Sequence, residues 1–331
     1  MSINSISVIG GGSWATALVK ILSNGPCKIN WWLRNAEAVE HILKYRHNPH
    51  YLSDVEHDLE KVQPTTDLSQ AIENSNWIIL AVPAAFLKDA LKPLSASSFK
   101  DRHIFSAIKG IVPSTNQIVG EYMNSNYGIP LNNIGVITGP CHAEEVALEK
   151  LSYLTIACPD NTTATELGKA LSCRYIRTVI SDDIYGTEYS AVLKNIMAVA
   201  SGIYHGLGYG DNFQAVLISN GIREIKRFVD AVHPIQRDIN DSAYLGDLLV
   251  TAYSQFSRNR TFGSMIGKGY TVKSAQLEMN MIAEGYYAVA GIHEIIKQHN
   301  ISMPITEAVY RVLYEHIAPR IEMRLLTDSL S

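Results

Sequence analysis

The chain has 331 residues, of which 47% are apolar and 18% charged, the composition of a folded protein with one large or two medium domains. A net charge of -4 with histidine neutral supplies no basic excess for nucleic acid or an anionic membrane surface. The four cysteines, Cys27, Cys141, Cys158 and Cys173, form no C-x-x-C pair, so they read as reduced thiols rather than as a metal or redox centre.

The chain runs from Met1 straight into a strand-like segment, Ile3–Ile9, without a basic and apolar leader. No stretch approaches the roughly 18 to 20 uninterrupted apolar residues of a membrane span. A cytoplasmic protein is expected. After the first strand, Ser13–Ser23 has the pattern of a helix, Lys28–Leu33 of a strand and Ala36–Tyr45 of a helix. Trp77–Val82 is an apolar strand closed by Pro83, and Phe86–Leu91 is helical in pattern. His103–Ile108, Ile134–Thr138, Leu151–Cys158 and Tyr175–Ile180 read as further strands. This alternation predicts an α/β domain over 1–183, a Rossmann-like, doubly wound and mostly parallel sheet with helices on both faces.

From about Ile180 the texture changes. Long helical periods cover Ala191–Tyr204, Gln214–Val232, Leu245–Ser254, Ser274–Asn300 and Ile305–Ile317, and strand-like runs almost vanish. They predict an all-α domain over 184–331.

Between the first strand and the first helix lies Gly10-x-Gly12-x-x-Ala15. Glycine permits the tight turn at Gly10 and lets the backbone approach a pyrophosphate at Gly12, and alanine lets the helix pack on the sheet. The anion would rest on the N–H groups around Ser13 and Trp14 and on the positive end of the helix. NAD or NADP is the expected cofactor. The second strand ends Trp31-Trp32-Leu33-Arg34-Asn35, with no carboxylate for a ribose 2′-OH. Arg34 stands where a 2′-phosphate would lie, or lies flat over the adenine.

Four other stretches carry unusual punctuation: Ser106–Gly110 (SAIKG), Gly139–Glu144 (GPCHAE), Leu193-Lys194-Asn195, and Gly246-Asp247 with Ser257–Arg260 (SRNR). Lys194 lies in EYSAVLKNIMAVASGI, where almost every neighbour is apolar or small. Burial lowers a lysine pKa and suits it to proton exchange, although a snorkelling stem fits the same letters. Asp247, in YLGDLLVT, is an acid among apolar letters, placed to hold Lys194 or a substrate hydroxyl, or to cap a helix after Gly246.

Together with the glycine turn, and in this order, these motifs resemble the bacterial-type NAD(P)-dependent glycerol-3-phosphate dehydrogenases, from Val8 to Met303–Tyr314. The resemblance implies hydride transfer between a nicotinamide and C2 of dihydroxyacetone phosphate or sn-glycerol 3-phosphate, as a source of phospholipid head groups. It implies that Lys194 is the catalytic acid/base and that Lys109 contacts both substrate and cofactor. It places Ser257, Arg258 and Asn259 on the substrate phosphate, with Arg258 also near the cofactor. Gly139 and Cys141 match substrate positions, and Ala143, Ile282 and Glu284 match cofactor positions. It further implies a homodimer. Cys141 stands where many relatives carry Ser or Thr, and Trp14 where smaller side chains or Tyr are common.

Overall fold

The computed structural model describes residues 3–113, 115–279 and 283–331. The chain divides into two compact units. One comprises Met1–Ile108 and Val119–Ile184, the other Lys109–Ile118 and Tyr185–Ser331.

The described residues form ten strands: β1 Ser5–Ile9, β2 Lys28–Trp32, β3 Val62–Thr65, β4 Trp77–Leu80, β5 His103–Ser106, β6 Ile111–Val112, β7 Gln117–Ile118, β8 Ile134–Thr138, β9 Ser152–Ala157 and β10 Ile176–Ser181. Eight of them build the sheet of the first unit, in the order β3-β2-β1-β4-β5-β8-β9-β10. Neighbours run parallel except β8 and β9. The order reverses direction between β1 and β4, the switch that defines a doubly wound, Rossmann-like sheet. Every residue of β4 and β8 is buried, as strands covered on both faces require.

Sequence periodicity did not reveal β3. Its four residues include Pro64, which lacks the N–H of a ladder residue. The strand occupies the edge of the sheet, where proline is tolerated. The helices Leu68–Glu73, Val119–Tyr127 and Asn161–Leu171 were also missed. The last is rich in threonine, a modest helix former, and is started by an Asp160 cap that accepts from the amides of Thr162 and Thr163 at 3.1 and 3.2 Å.

The second unit is helical. Its longest helix, Ile184–Gly206, begins before the expected Ala191 because Thr187 and Glu188, polar letters that broke the apolar pattern, are themselves fully buried. Every residue from Thr187 to Tyr204 is buried, the polar ones included, so this helix runs through the interior of its unit. The single helix expected over Ser274–Asn300 is two, Val272–Glu278 and Glu284–His299, with extended backbone at Met279 and Ala283. The helix Arg258–Gly267 crosses the long helix backbone to backbone. A Cβ on Gly202 would lie 2.1 Å from the Arg260 carbonyl oxygen, and one on Gly263 would lie 2.1 Å from that of Val199. Side chains would hold these helices apart, so the glycines set the register of the Arg258 segment against the Lys194 helix.

The division differs from the contiguous one expected at a single place. The segment Lys109–Ile118, a β6–β7 hairpin, belongs to the helical unit. Ile111 and Ile118 are buried in the helical core, and burial of these two side chains outweighs the chain's continuity with β5.

Candidate active site and dinucleotide turn

The strands β1, β4, β5 and β8 are parallel, so their carboxyl ends share one edge of the sheet. The glycine turn follows β1. Gly10 has φ of 140°, and a Cβ there would lie 2.4 Å from the Ala81 carbonyl oxygen, so the fold itself demands glycine. Gly12 is different. Its φ of -81° is ordinary, and a Cβ would meet no atom within 4 Å. Nothing in the protein requires glycine there, but an anion approaching the backbone would. Gly12 is also the N-cap of the helix Ser13–Leu22, which has no side-chain cap and no acidic residue in its first turn. That end is suited to a pyrophosphate. Ser13 is buried and Trp14 half-buried at the helix start.

Arg34, just beyond β2, is exposed, and its guanidinium carbon lies 5.6 Å from the centroid of the Phe86 ring. Phe86 had no sequence signal beyond its place after Pro83. After β8 comes the loop of Gly139 and Cys141, both buried, and Ala143 opens the short helix Ala143–Ala147. Gly139, with φ of 118°, is another glycine that the backbone demands.

In the helical unit, the long helix presents Lys194, 4% exposed, and the helix Asp247–Tyr253 presents Asp247, 1% exposed. The Lys194 ammonium donates to Asp247 Oδ1. The Lys109 ammonium lies 3.4 Å from Oδ2 of the same carboxylate. One buried carboxylate therefore bridges two ammonium groups, and the cluster carries a net positive charge. The pairing of Asp247 with Lys194 is formed, and the cap is not: Gly246 is the N-cap, and Asp247 is the first helical residue. Burial pushes the Lys194 pKa down from the ordinary lysine value to about 7, Asp247 opposes that shift, and Lys109 adds to it. Burial pushes Asp247 upward, but the charges of Lys109 and Lys194 outweigh it and hold the carboxyl below its usual value. Asn195, left without a role by its sequence, fixes the arm: its Nδ2 donates to the Lys109 carbonyl oxygen at 2.8 Å. Its adjacency to Lys194 was the only signal available.

Ser257 caps the helix Arg258–Gly267 by accepting from the Arg260 amide at 3.3 Å. Arg258, half-buried, is the first residue of that helix, and Asn259 is buried. Asn259 Oδ1 accepts from the Gly285 amide at 2.9 Å, which leaves Nδ2 as the donor end. This bond ties the Arg258 helix to the start of the helix Glu284–His299, whose first residue is the half-buried Glu284. Ile282 lies outside the described residues. Among the described residues no helix is long and apolar enough to cross a membrane.

A doubly wound sheet with an open dinucleotide turn, joined to a helical unit with a buried lysine of lowered pKa, defines a nicotinamide-dependent dehydrogenase. Residues 5–164 match the family profile of the NAD-dependent glycerol-3-phosphate dehydrogenase N-terminus, and residues 183–324 match that of its C-terminus. The chain belongs to this family. It is 36% identical over 323 residues to a glycerol-3-phosphate dehydrogenase (NAD(P)+) from an Exiguobacterium strain, covering 97% of this chain and 94% of that one. It is 37% identical over 316 residues to one from Salinibacter ruber, covering 95% and 92%. The crystal structure of a glycerol-3-phosphate dehydrogenase from Coxiella burnetii superposes with a TM-score of 0.92 at 29% identity, covering 98% of this chain and 99% of that one.

Proposed function

We propose that this protein moves a hydride between NAD(P)H and dihydroxyacetone phosphate or sn-glycerol 3-phosphate, and so supplies glycerol 3-phosphate for phospholipid synthesis. The observation that carries the reading is the Lys109–Asp247–Lys194 cluster. A lysine pKa near 7 lets Lys194 both give and take a proton at working pH.

Gly10, Gly12, Ser13 and Trp14 hold the pyrophosphate, and Gly12 fits that task because its backbone is open to a ligand. Arg34 reads the 2′-phosphate of NADP. Ala143, Arg258, Glu284 and Ile282 complete the cofactor set by family position. When bound, the nicotinamide supplies or accepts the hydride. Lys194 delivers a proton to the C2 oxygen as the ketone is reduced and removes it in the reverse direction. Lys109 donates to the same oxygen and orients it. Asp247 keeps Lys194 aimed and sufficiently basic. Arg258 and Asn259 Nδ2 grip the phosphate, and Ser257 sets their helix start. Gly139 and Cys141 line the substrate. Cys141 carries a thiol where many relatives carry a hydroxyl. The protein works in the cytoplasm as a homodimer formed through its helical unit, which light scattering tests: a monomeric mass rejects it.

The test of function is direct. Purified protein with dihydroxyacetone phosphate should consume NADPH or NADH, read as loss of reduced-nicotinamide absorbance. Cofactor binding without turnover would overturn the reading in favour of a nucleotide-sensing protein.

A further inference from the structure

The carbonyl groups of the glycine turn are each held by a side chain. The indole Nε1 of Trp31 donates to the Gly10 carbonyl oxygen at 2.7 Å. Nδ2 of Asn48 donates to the Gly11 carbonyl oxygen at 3.1 Å. The hydroxyl of Thr16 donates to the Gly12 carbonyl oxygen at 3.0 Å. The same Nδ2 of Asn48 donates to the Thr16 oxygen at 3.0 Å, and the Asn48 Oδ1 accepts from the His50 amide at 3.0 Å. All the hydrogen-bonding capacity needed to fix the Asn48 amide is thus in use. Trp31 and Thr16 are fully buried and Asn48 is 1% exposed. His57, also buried, meets the Trp31 ring edge-on at 4.9 Å between centroids.

In a trans peptide the carbonyl points opposite to the N–H of the next residue. The described residues contain no cis peptide bond. Tethering the carbonyls of Gly10, Gly11 and Gly12 therefore fixes the directions of the Gly11, Gly12 and Ser13 amides, each opposite to its own tether. A free glycine turn has many conformations, and each would have to be frozen by the ligand.

We propose that Asn48, acting with Thr16 and Trp31, is a positioning residue that pre-sets the amides of the glycine turn for a dinucleotide pyrophosphate. None of the three touches the ligand; they act through the turn's carbonyl groups. The proposal rests on reading this turn as the pyrophosphate site.

The experiment uses the full chain and two probes, NADH and ADP-ribose, which share the pyrophosphate. Asn48→Asp keeps the acceptor for His50 but sets a carboxylate oxygen against the Gly11 carbonyl. Thr16→Val removes the hydroxyl at constant shape, and Thr16→Ser restores it. Asn48→Asp and Thr16→Val should weaken both probes alike, by about tenfold each. Thr16→Ser should bind like the parent. The KM for NADH should rise in the two weak variants while kcat stays. Parent-like binding in both Asn48→Asp and Thr16→Val overturns the proposal, as does a loss shared by Thr16→Ser. Gly12→Val separates this from the underlying reading. Loss of both probes in Gly12→Val, with parent-like Asn48 and Thr16 variants, refutes the positioning role alone. Parent-like binding in Gly12→Val refutes the turn as the pyrophosphate site.

Discussion

Replacing Asp247 by Asn removes one charge at constant shape from a carboxylate that bridges two ammonium groups. Burial and the Lys109 charge would then act on Lys194 unopposed. Both lower its pKa. An opposite charge at this range shifts a pKa by about 1–3 units, so Lys194 should fall by that amount from about 7. With Lys194 as the proposed acid, reduction of the ketone needs it protonated, so kcat/KM should decline above its pKa. In Asp247→Asn this declining limb should move to lower pH by about 1–3 units, with activity at neutral pH reduced by about five- to five-hundredfold. Lowering the pH should recover part of the loss. Lys109→Met should move the same limb the other way, because it removes a like charge that depresses Lys194. The assay is kcat/KM for dihydroxyacetone phosphate across pH with saturating NADH. A limb that stays in place, or that moves in the same direction in both variants, would refute the assignment of Lys194 as the acid.

Asn259→Asp keeps an acceptor for the Gly285 amide but turns the donor end into an anion, so KM for dihydroxyacetone phosphate should rise by at least about a hundredfold with the melting temperature held; initial-rate kinetics and a thermal melt check this. Arg34→Ala should weaken NADPH by about ten- to a hundredfold relative to NADH, read by titrating each cofactor. His57 is buried, neither ring nitrogen has a hydrogen-bond partner among the described residues, and burial first, then the charges of His47 and Lys20, lower its pKa to about 4. Its folded pKa lies below its unfolded value of 6.5, so its contribution is complete above that value and is lost as pH falls toward 4. His57→Leu should cut the stability lost between neutral and mildly acid pH by about 2 kcal/mol in urea titrations; an unchanged loss would reject the argument. Gly263→Ala drives a methyl into the Val199 carbonyl and should lower stability by about 1–3 kcal/mol or more, measured the same way.

Much of the sheet was legible because its strands are short apolar runs, and the glycine turn because strand, turn and helix follow each other in eighteen letters. The β3 strand was not, since Pro64 hides an edge position that only the finished sheet defines. Lys194 and Asp247 each stood out as a charge among apolar letters, yet nothing in their spacing said that one carboxylate would bridge Lys194 and Lys109. That pairing depends on where the hairpin packs, a tertiary fact. Asn48 was invisible for a related reason: it lies in a loop of mixed letters, and its partners Gly11 and Thr16 are 37 and 32 positions away. The pattern of Ser274–Asn300 ran helix into helix because apolar period survives across a break that only backbone angles reveal.

The hairpin between β5 and β8 has a bearing on how this protein can be recombined. The chain passes between the two units at Ile108, at Ile118 and again at Ile184. A fragment beginning at Tyr185 would leave behind Lys109 and the two isoleucines that fill the helical core. A chimera joined only at that point would graft a foreign arm onto a native helix bundle, and with it a foreign partner for Asp247. Exchange of nucleotide units between relatives therefore keeps this chain's own Lys109 beside Asp247 only when residues 109–118 travel with the helices, so the unit of inheritance is discontinuous in the gene.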